Sequence, residues 1–81
     1  PMNITIYGPE GCSNCTQLKE KTQAVVDEQG FAAEVTKEGD AAKLAAKGIM
    51  STPGFEIDDE IVFTGSTPSK EELVEIIDDW A

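Results

Sequence analysis

The sequence contains no histidine and only two cysteines, Cys12 and Cys15. A structural zinc centre or an iron–sulfur cluster needs about four ligands of these kinds. One chain therefore lacks the ligands for a closed metal site unless carboxylates complete it. Two cysteines are also too few for the disulfide framework of a small secreted protein. In an intracellular protein such a pair is typical of catalysis or of metal binding.

Basic residues are scarce as well. Six lysine or arginine residues stand against sixteen aspartate or glutamate residues, and the formal net charge is -10. Such a chain repels the phosphate backbone of a nucleic acid, and no basic stripe offsets the repulsion, so we expect no nucleic-acid partner. Acidic residues in this number commonly form a solvated surface. A preference for partners with basic docking faces is the other interpretation that the composition leaves open.

Long apolar runs are absent too. The longest ones are a few residues, whereas a membrane-spanning helix needs about 20. The chain enters a strand pattern at once, so we expect no signal peptide. Hydrophobic residues make up 40% of the 81 residues, which is enough for one small folded domain. We therefore expect a single domain over residues 1–81, with no membrane partner and a cytoplasmic location.

Apolar periodicity predicts four strands and three helices. The strand patterns cover Met2–Tyr7, Phe31–Thr36, Phe55–Ile57 and Ile61–Thr64. The helical patterns run from Cys12 to about Gln29 before Gly30, from the N-cap Asp40 through Ala45 before Gly48, and onwards from a capping box of Ser69 and Glu72. The last helix carries an apolar stripe of Leu73, Ile76, Ile77 and Trp80.

The predicted order of elements is β-α-β-α-β-β-α. The first two strands are joined by a helical crossover, so they should be parallel, and the last two are joined tightly, so they should be antiparallel. A four-stranded mixed sheet flanked by helices on both faces is the simplest arrangement that buries all the apolar stripes. The sequence therefore predicts the α/β class.

The cysteines are spaced Cys-x-x-Cys where the first strand gives way to the first helix. Unpaired N–H groups and the dipole at a helix start lower a thiol pKa. The spacing lets the sulfur of Cys15 reach that of Cys12, and thiolate attack followed by ring closure is the chemistry of thiol–disulfide exchange. Lys19, one turn beyond Cys15, would favour a thiolate there, whereas Glu10 favours the neutral form of Cys12.

Two motifs together with the element order resemble the minimal thioredoxin fold: Cys12-Ser13-Asn14-Cys15 at the first helix and Ser51-Thr52-Pro53 before the predicted hairpin. The chain is most similar to small thioredoxin- or glutaredoxin-like redox-active disulfide proteins of archaea and bacteria. Members of that group also carry the patterns found here in Gly8-Pro9-Glu10-Gly11-Cys12 and Pro68-Ser69-Lys70-Glu71-Glu72.

The resemblance implies a thiol–disulfide oxidoreductase that reduces protein disulfides. In such a protein Cys12 is the attacking thiolate and Cys15 resolves the mixed disulfide. The resemblance further implies that a cis peptide bond precedes Pro53 and that the backbone of Thr52 pairs with an extended substrate. It implies no cofactor beyond the disulfide, an unidentified reductase as second partner, and a monomer.

The chain departs from the family pattern in three places. Thioredoxins have Trp before the first cysteine and Gly-Pro between the two, where this chain has Gly11 and Ser13-Asn14. Ile6 occupies the position of the buried acid that thioredoxins use to handle the proton of the second thiol, so water or Glu10 would have to serve. Gly65-Ser66 replaces the Gly-Gly turn with which glutaredoxins bind glutathione, which leaves the use of glutathione open.

Two other functions remain open from the sequence. A dimer that shares two Cys12/Cys15 pairs would supply four ligands for zinc or for an iron–sulfur cluster. The chain would otherwise be a non-catalytic binding module with a structural disulfide. A disulfide loop this short restricts few unfolded conformations, so stabilisation is a weak reason to have one.

Overall fold

The computed structural model describes all 81 residues and has seven elements in the order β-α-β-α-β-β-α. The strands are β1 (Met2–Tyr7), β2 (Ala33–Glu38), β3 (Gly54–Ile57) and β4 (Glu60–Thr64), and the helices are α1 (Ser13–Gln29), α2 (Ala41–Ala46) and α3 (Lys70–Trp80). This order confirms the prediction. None of the three helices has the length and apolar character needed to cross a membrane.

The four strands form one mixed sheet in the order β2-β1-β3-β4. The central strand β1 pairs in parallel with β2 and antiparallel with β3, and β3 pairs antiparallel with β4. Both predicted orientations are therefore confirmed. In the β1–β3 pair Tyr7 lies opposite Gly54, so the last residue of β1 and the first residue of β3 lie side by side at one end of the sheet.

Helices cover both faces of the sheet, as the apolar patterns predict. On one face α1 and α3 pack over the main core, whose fully buried residues include Ile4, Ile6, Leu18, Phe55, Ile57, Leu73 and Ile77. Side chains alternate along a strand, so Tyr7 points to the other face. There it packs with Leu44 of α2 and with Ile49 in a second, smaller cluster.

Helix α1 ends at Gly30, which takes a left-handed conformation (φ 70°) and donates its N–H to the carbonyl of Val26. This is the ordinary role of glycine at a helix C-terminus. The buried hydroxyl of Thr22 donates to the carbonyl of Leu18 at 2.7 Å. A polar side chain on the core face of α1 is thereby satisfied.

The predicted second strand, Phe31–Thr36, is wrong by two residues because β2 runs from Ala33 to Glu38. The N–H of Phe31 donates to Val26 at 3.1 Å, so this residue still belongs to the helix end rather than to the sheet. The N–H of Met2 bonds the carbonyl of Ala32 at 3.0 Å, immediately before the parallel pairing begins. Gly30, Phe31 and Ala32 thus lie between the end of α1 and the start of β2.

The last helix begins as predicted. Ser69 accepts from the N–H of Glu72 at 3.2 Å, and the Glu72 carboxylate accepts from the N–H of Ser69 at 3.0 Å. The bond from the Ser69 backbone N–H lowers the pKa of the Glu72 carboxyl, and the Ser69 hydroxyl contributes in the same direction. Leu73 and Ile77 are fully buried, whereas Trp80 at the end of the helix is exposed. The apolar stripe therefore reaches solvent in its last turn.

Candidate active site

The cysteine pair lies at the junction of β1 and α1. After Tyr7 the chain passes through Gly8 and a turn closed by a bond from the N–H of Cys12 to the carbonyl of Pro9 at 3.3 Å. Gly11 lies in the left-handed region in this turn (φ 85°), which a glycine adopts without steric cost. Cys12 then has an extended backbone and serves as the N-cap of α1.

Cys12 and Cys15 form a disulfide with their Cα atoms 5.3 Å apart. The sulfur of Cys12 also accepts the N–H of Cys15 at 3.2 Å, so it occupies the place of a capping oxygen at the helix start. Cys12 is half-buried, whereas Cys15 is fully buried. Solvent and another protein can therefore reach this disulfide only from the Cys12 side.

Gly8 packs directly beneath the disulfide. A Cβ atom at this position would lie 2.5 Å from Cβ of Cys15 and 3.9 Å from Sγ of Cys12, with Sγ of Cys15 also in contact. Any side chain larger than hydrogen would displace the second cysteine. The sequence marks Gly8 only as part of a turn, because the requirement comes from a contact that forms after folding.

The accessible sulfur opens onto a shallow depression of about 350 Å³. The depression is lined by Gly11, Cys12, Ser13, Thr16 and Gln17. No charged side chain lines it, although the chain as a whole carries a net charge of -10. A substrate that approaches Cys12 thus meets hydroxyl and amide groups rather than carboxylates.

The segment with Thr52 and Pro53 lies beside the cysteines. Tyr7 lies opposite Gly54 in the antiparallel pair of β1 and β3. Gly8 follows Tyr7 and contacts Cys15, and Pro53 precedes Gly54, so Pro53 lies next to Gly8. The Thr52–Pro53 peptide bond is cis, as the resemblance implies. Pro53 is buried and Thr52 is exposed. The structure thus brings all four predicted site residues to one end of the sheet.

The residues before Pro53 have free backbone groups. Met50, Ser51 and Thr52 make no backbone or side-chain hydrogen bond outside regular secondary structure, and they lie in none of the helices or strands. All three are exposed, and the side chain of Met50 is 96% accessible. Main-chain donors and acceptors beside the disulfide are thus available to an extended chain, as in strand addition.

The charged residues considered from the sequence lie around the cysteines rather than on them. Lys19 is half-buried and forms no hydrogen bond or ion pair. Ile6, at the position where thioredoxins have a buried acid, is fully buried in the apolar core. Glu10 is exposed on the turn. The sequence interpretation missed Lys37, whose ammonium donates to the carbonyl of Gly8 at 3.0 Å. This is the cation fixed to the segment beneath the disulfide.

A second depression lies on the other side of Glu10. It is lined by Glu10, Lys37, Glu38, Gly39 and Asp40. Glu38 accepts from the N–H of Asp40 at 3.1 Å and lies 3.3 Å from the ammonium of Lys43. The bond from Asp40 and then that from Lys43 lower the pKa of Glu38. These bonds hold the turn before α2.

The distribution of possible metal ligands bears on the alternative function. No group of three or more cysteine, aspartate or glutamate side chains is placed to hold a metal ion. The two sulfurs are bonded to each other. This bond can be broken and made by thiol–disulfide exchange from the one side that solvent reaches.

Comparison with known proteins agrees with this geometry. A family model described as a thioredoxin domain matches residues 2–78. A thioredoxin of Methanocaldococcus jannaschii is 42% identical over 72 residues, which cover 89% of this chain and 81% of that protein. A thioredoxin of Methanothermobacter thermautotrophicus is 36% identical over 76 residues, which cover 94% of this chain and 97% of that protein.

Solved structures share the fold at lower identity. A mutant thioredoxin from Halobacterium salinarum superposes with a TM-score of 0.76 at 18% identity, covering 98% of this chain and 74% of that one. A malaria parasite thioredoxin-2 superposes with a TM-score of 0.74 at 15% identity, covering 96% and 82%. With the family match over nearly the whole length and a cysteine pair open to exchange, the chain belongs to the thioredoxin family of thiol–disulfide oxidoreductases.

Proposed function

We propose that this oxidoreductase works as a reductant of protein disulfides, with Cys12 as the attacking thiol and Cys15 as the resolving thiol. The difference in burial between the two sulfurs carries the proposal. A substrate sulfur can approach the half-buried Cys12 but not the fully buried Cys15. The attack on the substrate therefore falls to Cys12.

The reaction has two displacement steps. The Cys12 thiolate attacks one sulfur of the substrate disulfide; a bond forms between them, the substrate bond breaks, and the other substrate sulfur leaves as a thiolate that takes up a proton. The Cys15 thiol then loses its proton and attacks Sγ of Cys12, which restores the internal disulfide and releases the second substrate thiol. Two electrons have passed from the protein dithiol to the substrate.

The position of Cys12 favours the first step. In the disulfide form its sulfur accepts the N–H of Cys15 at the start of α1. Backbone N–H groups and the helix dipole stabilise negative charge at such a position. When a reductant regenerates the dithiol it attacks Sγ of the half-buried Cys12, and the buried Cys15 is then the leaving thiolate.

Thr52 and Pro53 form the substrate-binding part of the proposal. Thr52 is exposed and its backbone makes no hydrogen bond, while buried Pro53 adjoins Gly8 beneath the cysteines. An extended substrate segment that pairs with the backbone of Thr52 would pass beside the sulfur of Cys12. Recognition through main-chain groups fits a reductant of many protein disulfides.

The partners follow from this chemistry. The substrates are protein disulfides, and a reductase supplies two electrons to reduce the internal disulfide after each turnover. The protein acts as a monomer and as one domain over residues 1–81, in the cytoplasm, where such pairs are catalytic rather than structural. The redox-active disulfide takes the place of a bound cofactor.

A turnover assay tests the proposal. We expect substoichiometric amounts of the protein to accelerate the reduction of insulin by dithiothreitol, because the dithiol of Cys12 and Cys15 is regenerated after each cycle. The turbidity of the released insulin chains measures the rate. A protein that is fully reduced by dithiothreitol but leaves the insulin rate unchanged would contradict the proposal.

A further inference from the structure

A buried carboxylate lies on the sheet face opposite the main core. Glu56 alternates with Phe55 and Ile57 along β3, so it points away from the core, yet it is only 5% accessible. The hydroxyl of Tyr7 donates to its Oε1 atom at 3.0 Å in buried surroundings. A buried carboxylate is unfavourable unless it is paired and hydrogen-bonded.

Lys47 supplies the opposite charge. Its ammonium lies 2.8 Å from Oε2 of Glu56, and its side chain is 36% accessible. The contact is an ion pair at a carboxylate oxygen that is itself buried. The contact with Glu56 raises the pKa of Lys47, and burial followed by the bond to Glu56 raises the pKa of Tyr7. Lys47 and Tyr7 therefore stay protonated beside the carboxylate of Glu56.

The three residues come from three segments that adjoin either the disulfide or the loop of residues 48–53. Tyr7 ends β1 and directly precedes Gly8, which lies beneath the disulfide. Lys47 is the C-cap of α2 and directly precedes the loop of residues 48–53. Glu56 is in β3, which starts directly after that loop. One carboxylate thus joins the support of the disulfide to both ends of the loop that carries Thr52.

The loop itself has few other attachments. Residues 50–52 make no hydrogen bond. At one end of the loop Ile49 packs with Tyr7. Ile49 also lies close to Gly54, because a Cβ atom built on Gly54 would be 2.9 Å from Cδ1 of Ile49. At the other end the N–H of Gly65 bonds the carbonyl of Pro53 at 2.8 Å. The Lys47–Glu56 pair is the ionic contact that spans the loop from one end to the other.

We infer that Glu56, held by Lys47 and Tyr7, is a positioning residue that sets the place of Thr52 relative to Cys12 for the binding of protein substrates. The inference rests on the proposed function and adds a determinant of substrate affinity to it. Neither Glu56 nor Lys47 reaches the sulfurs, so their loss should weaken the docking of an extended chain and leave thiol chemistry intact.

The test compares a protein substrate with a small disulfide. In Glu56→Gln the carboxamide still accepts from Tyr7 but carries no charge, and Lys47→Gln removes the charge from the other side. We expect each to raise KM for insulin about threefold to tenfold at unchanged kcat, which is typical of coupling through packed neighbours. The rate with Ellman's reagent, which needs no strand pairing, should stay at the wild-type value. The double variant should be no worse than either single one.

Two further variants separate positioning from charge and stability. Lys47→Arg keeps the ion pair and should keep the wild-type KM. Glu75→Gln removes an equal charge at an exposed site of α3 and should leave every rate unchanged. In amide NMR spectra, Glu56→Gln should shift the resonances of Ser51 and Thr52 and lower their order parameters, whereas Glu75→Gln should not. Thermal unfolding shows whether each variant is folded.

Three results would overturn the inference. Folded Glu56→Gln and Lys47→Gln proteins with the wild-type KM for insulin would show that the pair does not affect docking. A parallel fall in the insulin and Ellman's reagent rates would indicate a general structural role instead. Unchanged Ser51 and Thr52 resonances in Glu56→Gln would exclude a displaced loop. This NMR result can be obtained even if the wild-type protein reduces no insulin. The failure to reduce insulin would count against the proposed function alone.

Discussion

The Cys12→Ser protein should reduce no insulin above the rate of dithiothreitol alone. Cys15 is fully buried, so it cannot replace the half-buried Cys12 as the group that meets a substrate disulfide. A serine hydroxyl does not attack disulfides, and the chain has no other thiol to take over. The insulin assay measures the loss.

The Cys15→Ser protein should behave differently. Its Cys12 thiolate still attacks, but no second thiol releases the product, so a covalent one-to-one complex with the substrate should accumulate. Mass spectrometry of the acid-quenched mixture detects the added mass, and dithiothreitol should remove it. The double Cys12→Ser, Cys15→Ser variant is the matched blank. Activity that persists in Cys12→Ser, or a complex formed through Cys15 in that variant, would reverse the two roles.

Gly8→Ala should both destabilise the protein and slow disulfide exchange. Gly8 has no left-handed backbone, so alanine is compatible with its conformation and the whole effect is steric. The new methyl group would lie 2.5 Å from Cβ of Cys15, which must move. Overpacking of this kind costs about 1–3 kcal/mol, which corresponds to a fall in Tm of roughly 5–20 °C for a domain of this size.

Thermal unfolding of the oxidised and reduced proteins, together with the insulin assay, measures these effects. Gly30→Ala is a suitable control, because no atom lies within 4 Å of a Cβ atom there and only the left-handed backbone (φ 70°) opposes the change. That control should lose some stability but keep the rate of exchange. A Gly8→Ala protein with the wild-type Tm would show that Cys15 is not packed against Gly8.

Local patterns account for the parts of the fold that the sequence predicts. The capping box of Ser69 and Glu72 and the glycines after α1 and α2 are short-range signals, and each marks an element end in the structure. The start of β2 could not be predicted in the same way. Phe31 has a strand-like side chain, but its N–H is used at the end of α1, so the strand begins two residues later.

The residues of the candidate active site likewise fall into those that local patterns predict and those that only the folded structure reveals. Cys12, Cys15, Thr52 and Pro53 belong to motifs that can be recognised in the sequence. Gly8, Lys37 and Glu56 act through partners that are distant along the chain: Cys15, the carbonyl of Gly8 and the ammonium of Lys47. Glu56 between two apolar residues is typical of a half-exposed strand, and its burial against Tyr7 and Lys47 arises only in the folded structure.

A redox titration of the Cys12–Cys15 pair in glutathione buffers tests the central claim most directly. The fraction of oxidised protein is read by alkylation and mass spectrometry at each buffer potential. A reductant of protein disulfides should give a reversible two-electron transition at about -270 mV, the value typical of thioredoxin. A pair that does not equilibrate with the buffer, or a midpoint of about -120 mV as in a strong oxidant, would contradict the account.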